Sequence, residues 1–379
     1  MRLLLSCAEL GLGHVSRIIP LGKRLEKFGH DLFFFSGGKA YEMLEKEFPR
    51  VYKCTPISWY ENAYGIITSA SLVNLLLPLP LFNFEKNRLE MKNSNAWETI
   101  HRYYDLRENI RDIAPDLLIA DGDINALRLA QKWHIPSLYV ANMIRPSYGF
   151  SAFLNPGERI VERYVKNCSK IIIPDNPSPY TISEYSIGNI DKMGLNEKTE
   201  FVGSFVDTTP VRGSQEHIFA PVSGPPGTRA KLLKTILPVL EKTKSKCIIS
   251  LGTPGKKVSA KIGNCELYTW MSSEERDLAM RNSKFVIFSG GHATCFETIK
   301  YGKPSICIPT QPEQLGNAAK LRDLNCSIKV KNKKQLEKAL QKMEREKESY
   351  YRNVTALREF SNKYRGLDRA ASIVETMLD

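Results

Sequence analysis

Short apolar runs, each broken by a glycine turn and followed by helical periodicity, recur from one end of the chain to the other. Residues 2–6 (R-L-L-L-S) read as a buried strand and residues 7–13 as a turn. A helix is predicted over 15–28, with Ile18, Leu21, Leu25 and Phe28 at three-to-four spacing and Gly29 as its stop. Residues 31–36, Gly37-Gly38 and residues 40–47 repeat the same order. The apolar run 117–120, a helix over 158–166 and a strand over 170–174 follow. The pattern then starts again. It gives a strand over 217–222, a turn over 223–228, a helix over 229–240 and a strand over 247–251. Last comes a compact βαβα unit: strand 285–288, turn Ser289-Gly290-Gly291, a helix stopped by Gly302 and Pro304, strand 305–308, and a helix beginning near Gln314.

Strands alternating with helices imply parallel, doubly wound α/β sheets, and 379 residues suit two domains better than one core. The predicted division is 1–206 and 207–365 with a hinge near 208–214, then a closing helix within 366–379. Residues 329–364, rich in Lys and Glu, read as a solvated helix pair. The stretch 65–84 is apolar but broken by polar residues, Pro78 and Pro80, so it is too interrupted for a spanning helix. Two readings stay open: a buried helix, favoured slightly, or an exposed apolar lip on a membrane or a lipid-linked acceptor, with Lys86, Arg88, Lys92, Arg102 and Arg107 nearby.

Composition adds limits. Hydrophobic content of 42% with 25% charged residues is that of a globular chain. Eight cysteines are scattered without a C-x-x-C pair, so neither a zinc site nor a disulfide framework is expected, and buried thiols in a reducing cytoplasm are. No signal peptide is read at Met1-Arg2. The net charge of +13 favours polyanionic partners such as nucleotides, anionic lipid or nucleic acid without choosing among them.

The turn at Gly290-Gly291 puts bare N–H groups and the positive end of a helix dipole at the carboxyl edge of a strand, where an anion is favoured. Glu297 follows one turn after His292, Ala293 and Thr294. A carboxylate there suits two vicinal hydroxyls, as of a ribose beside a diphosphate, while Thr294-x-x-Glu297 equally spells a capping box. Gly224 and Gly227 mark a second helix start and a second candidate diphosphate contact; Pro225 and Pro226 remove two donors, leaving a plain turn open. His14, at a strand-to-helix handover, reads either as a helix-flanking residue or as a base for an acceptor hydroxyl. Arg17, one turn on, is a candidate for an anionic substrate group or an ordinary exposed cation. Asp121 and Asp123 end a strand; either can orient His14, form a turn or cap a helix.

G-G-H-A-T-C-F-E followed by P-T-Q-P-E-Q-L-G-N-A resembles the nucleotide-sugar signature of the two-domain, B-type glycosyltransferases. The kin most like it are the family 28 enzymes, such as the peptidoglycan lipid II N-acetylglucosaminyltransferase, and the UDP-glycosyltransferases. The resemblance implies two Rossmann-like domains facing across a cleft, the last helix often packing back on the first. It implies donor diphosphate at Gly290, Gly291, His292 and Thr294, ribose at Glu297, sugar hydroxyls at Glu313 and Gln314, and the base in the loop of Trp270 and Met271. Many relatives carry a His where this chain has Ser289, so phosphate contact falls to His292 or to backbone amides alone. G-x-G-H at Gly13-His14 resembles the family's N-terminal motif, with His as base, and Asp121 stands where plant relatives have an Asp. Gly13, Arg17, Asn142 and Arg145 are then the candidate acceptor-side residues, with the loop after Asn142 lining the cleft.

The expected activity is inverting, metal-independent transfer from a UDP-sugar to a hydroxyl acceptor, lipid-linked in one version, with no cofactor, no specific nucleic acid, and a cytoplasmic or membrane-peripheral location. A sugar-nucleotide epimerase or hydrolase and a non-catalytic nucleotide-sugar or nucleic-acid binder are the alternatives.

Overall fold

A computed structural model describes residues 1–379 apart from 10–11, 59, 63–64, 67, 84–86, 146–154, 212, 225 and 254–256. Two seven-stranded sheets carry it. The first runs, edge to edge, Thr199–Phe201, Lys170–Ile173, Ser137–Val140, Leu117–Asp121, Arg2–Cys7, Asp31–Ser36 and Val51–Lys53, all parallel. The second runs Ser259–Ile262, Cys265–Tyr268, Cys247–Ser250, His217–Pro221, Ser283–Phe288, Ser305–Cys307 and Ser327–Lys329, parallel except for its first strand. Each sheet is covered on both faces, which is why its strands are almost wholly apolar. The fold is α/β with two Rossmann-like domains.

Chain order reverses beside the strand Arg2–Cys7 in one sheet and beside His217–Pro221 in the other. Crevices open beyond the carboxyl ends of strands at such points. Ala8 and His14 meet residues 121–123 at the first; Val222 and Gly224 follow one strand, and residues 289–292 its neighbour, at the second.

The helix Gly366–Leu378 returns to the first sheet, where Ala370, Ala371 and Val374 share a core with Val15, Ile18 and Leu21 of the helix Gly13–Glu26. Gly366 makes the crossing: a Cβ there would lie 2.2 Å from the Ser204 carbonyl oxygen.

Three elements differ from the sequence reading. Residues 329–364 form one helix, Lys333–Ser361, not a pair. No glycine or proline interrupts it, and Leu336, Leu340, Met343, Tyr350, Val354 and Leu357 keep one buried stripe throughout. The helix Asn95–Ile113 is not announced by apolar pattern, because its inward face carries Glu98 and Arg102 alongside Leu106 and Ile110. The segment favoured as a buried helix is instead an outward-facing lip, the helix Thr68–Asn74 and the hairpin of Leu79–Asn83 with Arg88–Lys92. Leu76 is 77% exposed and Leu72 60%, and Val73, Leu75, Leu77, Leu89 and Met91 are also exposed. Apolar runs are counted by sequence, but burial is decided by whether another layer exists to cover them. All eight cysteines are free and buried.

Candidate active site

The first-domain half of the site is built on the carboxyl ends of two adjacent strands. Asp121 ends Leu117–Asp121 and is wholly buried. His14 lies in the first turn of the helix Gly13–Glu26, its Nδ1 2.7 Å from Asp121 Oδ1. Arg17, one turn later, donates from Nε (2.8 Å) and Nη2 (2.6 Å) to the same carboxylate. Nδ1 also stands 3.0 Å from Arg17 Nη2, but it can meet only one of them. Against a full negative charge at shorter range it carries its proton toward Asp121, which leaves Nε2 with the free lone pair. Burial alone would raise the Asp121 carboxyl; Arg17 and then His14 outweigh it and hold it below the ordinary carboxylate range. Gly13 has open space where a Cβ would be, so a ligand can approach the backbone beside His14.

This geometry separates the two aspartates. Asp123 caps the helix Ile124–Lys132, accepting from the Asn125 and Ala126 amides, and also accepts from Ser6 Oγ (2.5 Å) and Arg102 Nη2 (2.7 Å). Arg102, 1% exposed, further donates to Glu9 Oε2 (2.9 Å) and the Cys7 carbonyl (3.1 Å). Counting Arg102 among surface cations was therefore wrong, and so was Lys92, which is buried against Glu98; Lys86 lies outside the described residues. The D-x-D spelling Asp121-Gly-Asp123 does not make a metal clamp, since each carboxylate is committed to its own arginine. Among the described residues no three His, Cys, Asp or Glu side chains gather as a metal site. Arg17 is likewise corrected: bound in a fork to Asp121 and buried, it holds the aspartate rather than waiting for an acceptor anion.

The second-domain half starts at Gly290. Its φ is +90° and a Cβ would lie 2.9 Å from the Gln314 carbonyl oxygen, so only glycine makes this turn. Gly291 is the N-cap of the helix His292–Lys300 and has open space beside it. Thr294 is therefore the third helical residue, not the cap, and the capping box with Glu297 is not formed. Glu297 instead meets Arg276 in a fork, Nη1 on Oε1 and Nη2 2.6 Å from Oε2, with both side chains partly exposed. His292 turns away from the glycine turn: its Nε2 lies 3.0 Å from Asp175 Oδ2 and it is 6% exposed. The expected His292 contact with phosphate is thus replaced by the open backbone amides, because Asp175, itself bonded to the Ile182 and Ser183 amides and Ser183 Oγ, takes the imidazole.

Glu313 and Gln314 part company. Gln314, buried, accepts through Oε1 from the Thr310 amide and hydroxyl and from the Gln311 amide, forming the box that starts the helix Pro312–Asp323. Its Oε1 is thereby spent on its own helix start, and Nε2 lies 3.3 Å from Gln311 Oε1. Glu313 is only partly buried and reaches the other domain, accepting from Asn142 Nδ2 at 2.9 Å. Asn142 lies just beyond the strand Ser137–Val140, so this bond ties the acceptor side to the donor side.

Arg145 is not in this group. It pairs with Glu162 (2.6 Å) beside Arg159, Arg163 and Lys166 on the outer face of the helix Asn155–Lys166. The loop 146–154 expected along the cleft lies outside the described residues, as does Pro225. Gly224 (φ +107°) precedes the helix Pro226–Leu240, in whose first turn Gly227 is buried. Met271 packs partly into the second domain's core beside exposed Trp270, just before the helix Ser273–Arg281 that bears Arg276. Arg276 carries no signal in the sequence; for Asp175 the one available clue was its position past the carboxyl end of the strand Lys170–Ile173.

Residues 231–368 match the glycosyltransferase family 28 C-terminal domain. An uncharacterized glycosyltransferase of Methanosarcina mazei is 24% identical over 338 residues, covering 84% of this chain and 82% of that protein. Among solved structures, the spinosyn rhamnosyltransferase SpnG complexed with thymidine diphosphate aligns over 100% of both chains at 15% identity and TM-score 0.67. Acinetobacter baumannii MurG aligns over 99% of both at 11% identity and TM-score 0.62. Fold, domain match and relatives agree: the chain has the two-domain, B-type fold, is a glycosyltransferase, and is similar to the family 28 enzymes over residues 231–368.

Proposed function

We propose that the chain moves a sugar from a UDP-sugar to a hydroxyl acceptor by a single displacement with inversion and without a metal ion. The His14–Asp121 pair carries this reading. Nε2 of His14 takes the acceptor proton while the hydroxyl attacks the anomeric carbon, and Asp121 stabilises the imidazolium that forms. Charge on departing UDP is met by the amides from Gly291 onward and the dipole of the helix His292–Lys300. Ribose would sit on Glu297, and the sugar hydroxyls on Glu313 once it releases Asn142.

Glu313 and Gln314 should respond differently. Glu313→Ala is expected to lower sugar transfer far more than UDP affinity, because only the sugar is contacted. Gln314→Ala should cost about 1 kcal/mol of stability through the lost helix start, with a small effect on transfer at low temperature. Steady-state kinetics beside calorimetric UDP binding decide it; equal loss of UDP affinity and transfer in Glu313→Ala would contradict the sugar role.

A lipid-linked acceptor, with peripheral contact at an anionic membrane, is favoured by the lip. The Ala96 amide donates to the Leu75 carbonyl (3.0 Å), joining the lip to the helix Asn95–Ile113, on which Trp97, Ile100 and Tyr104 are exposed, and Arg107, Arg111, Arg128 and Lys132 are exposed on that helix and its neighbour. An apolar wedge beside cations suits an anionic bilayer. Among the described residues no helix is long and apolar enough to cross a membrane. Sedimentation with phosphatidylglycerol vesicles should exceed that with phosphatidylcholine and fall in Leu76→Glu. Equal sedimentation of variant and parent would exclude the lip.

A further inference from the structure

A peptide plane turns over through opposite changes in the ψ of one residue and the φ of the next, and a Cβ on either residue resists the change. At Gly290-Gly291 both residues are glycine, so neither resists. The backbone there has two orientations open to it, opposite in charge toward the cleft. One presents the Gly291 N–H to a bound anion; the other presents the Gly290 carbonyl oxygen. The glycines alone do not choose between them.

Asn317 does. It is wholly buried on the helix Pro312–Asp323, and its Nδ2 donates to the Gly290 carbonyl oxygen at 3.0 Å. Among the described residues no backbone amide donates to that oxygen, and the Cys295 thiol stands 3.7 Å away as a weak second donor. The peptide is trans, so its N–H points opposite to its C=O. A carbonyl held inward by Asn317 therefore turns the Gly291 N–H outward, and the space beside Gly291 is open. The other Nδ2 hydrogen serves Glu313 Oε1, 3.4 Å away and one turn earlier on the same helix. Both partners are acceptors, which fixes the NH2 end of the amide on their side. The arrangement is held at a cost, since Asn317 Oδ1 is buried without a hydrogen-bond partner among the described residues.

We infer that Asn317 is a positioning residue for the donor: it fixes the Gly290–Gly291 peptide with its N–H toward the diphosphate, and the same amide group steadies Glu313 for the sugar. The inference rests on the reading of the glycine turn as the diphosphate site. Without the Asn317 donor, the buried carbonyl regains a partner by turning outward to water. That places an oxygen against the diphosphate oxygens, acceptor against anion. Uridine, which has no diphosphate, is indifferent to the orientation of this peptide.

The test compares UDP, titrated by calorimetry, with uridine, titrated by ligand-observed NMR, on the full chain and on its Asn317→Leu, Asn317→Ala and Gly291→Pro variants, with unfolding midpoints in parallel. Asn317→Leu keeps a side chain of similar size while removing both the donor and the unpartnered Oδ1. Gly291→Pro removes the N–H itself, at a φ of −62° that proline adopts. The parent should prefer UDP to uridine, and in both Asn317 variants that preference should fall about tenfold or more, toward the Gly291→Pro value, with uridine affinity unchanged. If Gly291→Pro removes the preference but both Asn317 variants keep it, the role of Asn317 is overturned and the turn remains the diphosphate site. Equal loss of UDP and uridine in the Asn317 variants overturns it too, because Asn317 then packs the site without orienting the peptide. If the parent shows no preference, or Gly291→Pro keeps it, the diphosphate does not lie at the turn and the underlying reading fails.

Discussion

His14→Ala should lower sugar transfer by about a hundredfold or more and leave UDP affinity unchanged. The imidazole stands on the first-domain side of the cleft, whereas UDP is assigned to the second, so its removal takes away proton transfer and no donor contact. Asp121→Asn is the less clean companion. It disturbs the tautomer of His14, but it also leaves the Arg17 guanidinium buried without its counter-charge, and stability would fall together with rate. Transfer of radiolabel from UDP-sugar into a lipid extract, with UDP binding measured separately, distinguishes the outcomes. Retained transfer in His14→Ala would remove the base from the mechanism, and a matching loss of UDP affinity would move His14 to the donor site.

Arg102→Met should destabilise the chain by about 3–5 kcal/mol, the largest effect expected of any residue outside the cleft. Arg102 stands between Asp123 and Glu9, all three buried, and methionine fills part of its volume without its charge. Burial pushes both carboxyls up. The guanidinium overcomes this at Asp123, which is held below the ordinary range, but not at Glu9, which stays above it. Without Arg102 the largest influence opposing burial is gone from both carboxyls; the Ser6 hydroxyl and Ala126 amide still act on Asp123 and the Ile57 amide on Glu9, but burial outweighs them and lifts both folded-state values above the unfolded range near ~4. The folded variant then binds more protons than the unfolded chain at intermediate pH. Its deficit should be greatest above pH ~6 and shrink as pH falls through the raised values. The parent behaves oppositely at Asp123, whose contribution is present above the unfolded value and lost as pH falls through the lower folded one. Urea unfolding at pH 7.5 and pH 5 reads this directly. A change under about 1 kcal/mol at both would show that the cluster is solvated rather than buried.

What could be read from sequence follows from the range of the interaction involved. Strands and glycine turns are local, so the strand Asp31–Ser36 and the turn at Gly290 were legible: an apolar run and a position only glycine can occupy need no distant partner. His14 and Asp121 were legible as a pair because His14 opens the helix that follows one central strand and Asp121 ends another, and adjacent strands bring those ends together. The commitments of other polar side chains were not. His292 meets Asp175 from 117 positions away, Glu313 meets Asn142 from 171, and Glu297 meets Arg276 across two elements. In each case sequence identified a residue able to bind a ligand, and the fold had already given part of its bonding capacity to a neighbour. Gln314 is the sharpest instance, since the amide suited to sugar hydroxyls equally suits the first amides of its own helix. The lip was misjudged for a related reason: Leu72 and Leu76 are apolar in any context, and only the absence of a covering layer exposes them.

Sugar transfer as proposed depends on nucleoside diphosphate binding at the glycine turn and Glu297, with no metal bridge. Calorimetric titration of UDP, dTDP and GDP in the presence of EDTA tests it most directly. The expected result is saturable one-site binding of UDP, tighter than dTDP or GDP, undiminished by the chelator and by His14→Ala. Absence of UDP binding in EDTA with recovery on adding Mg²⁺ would contradict it.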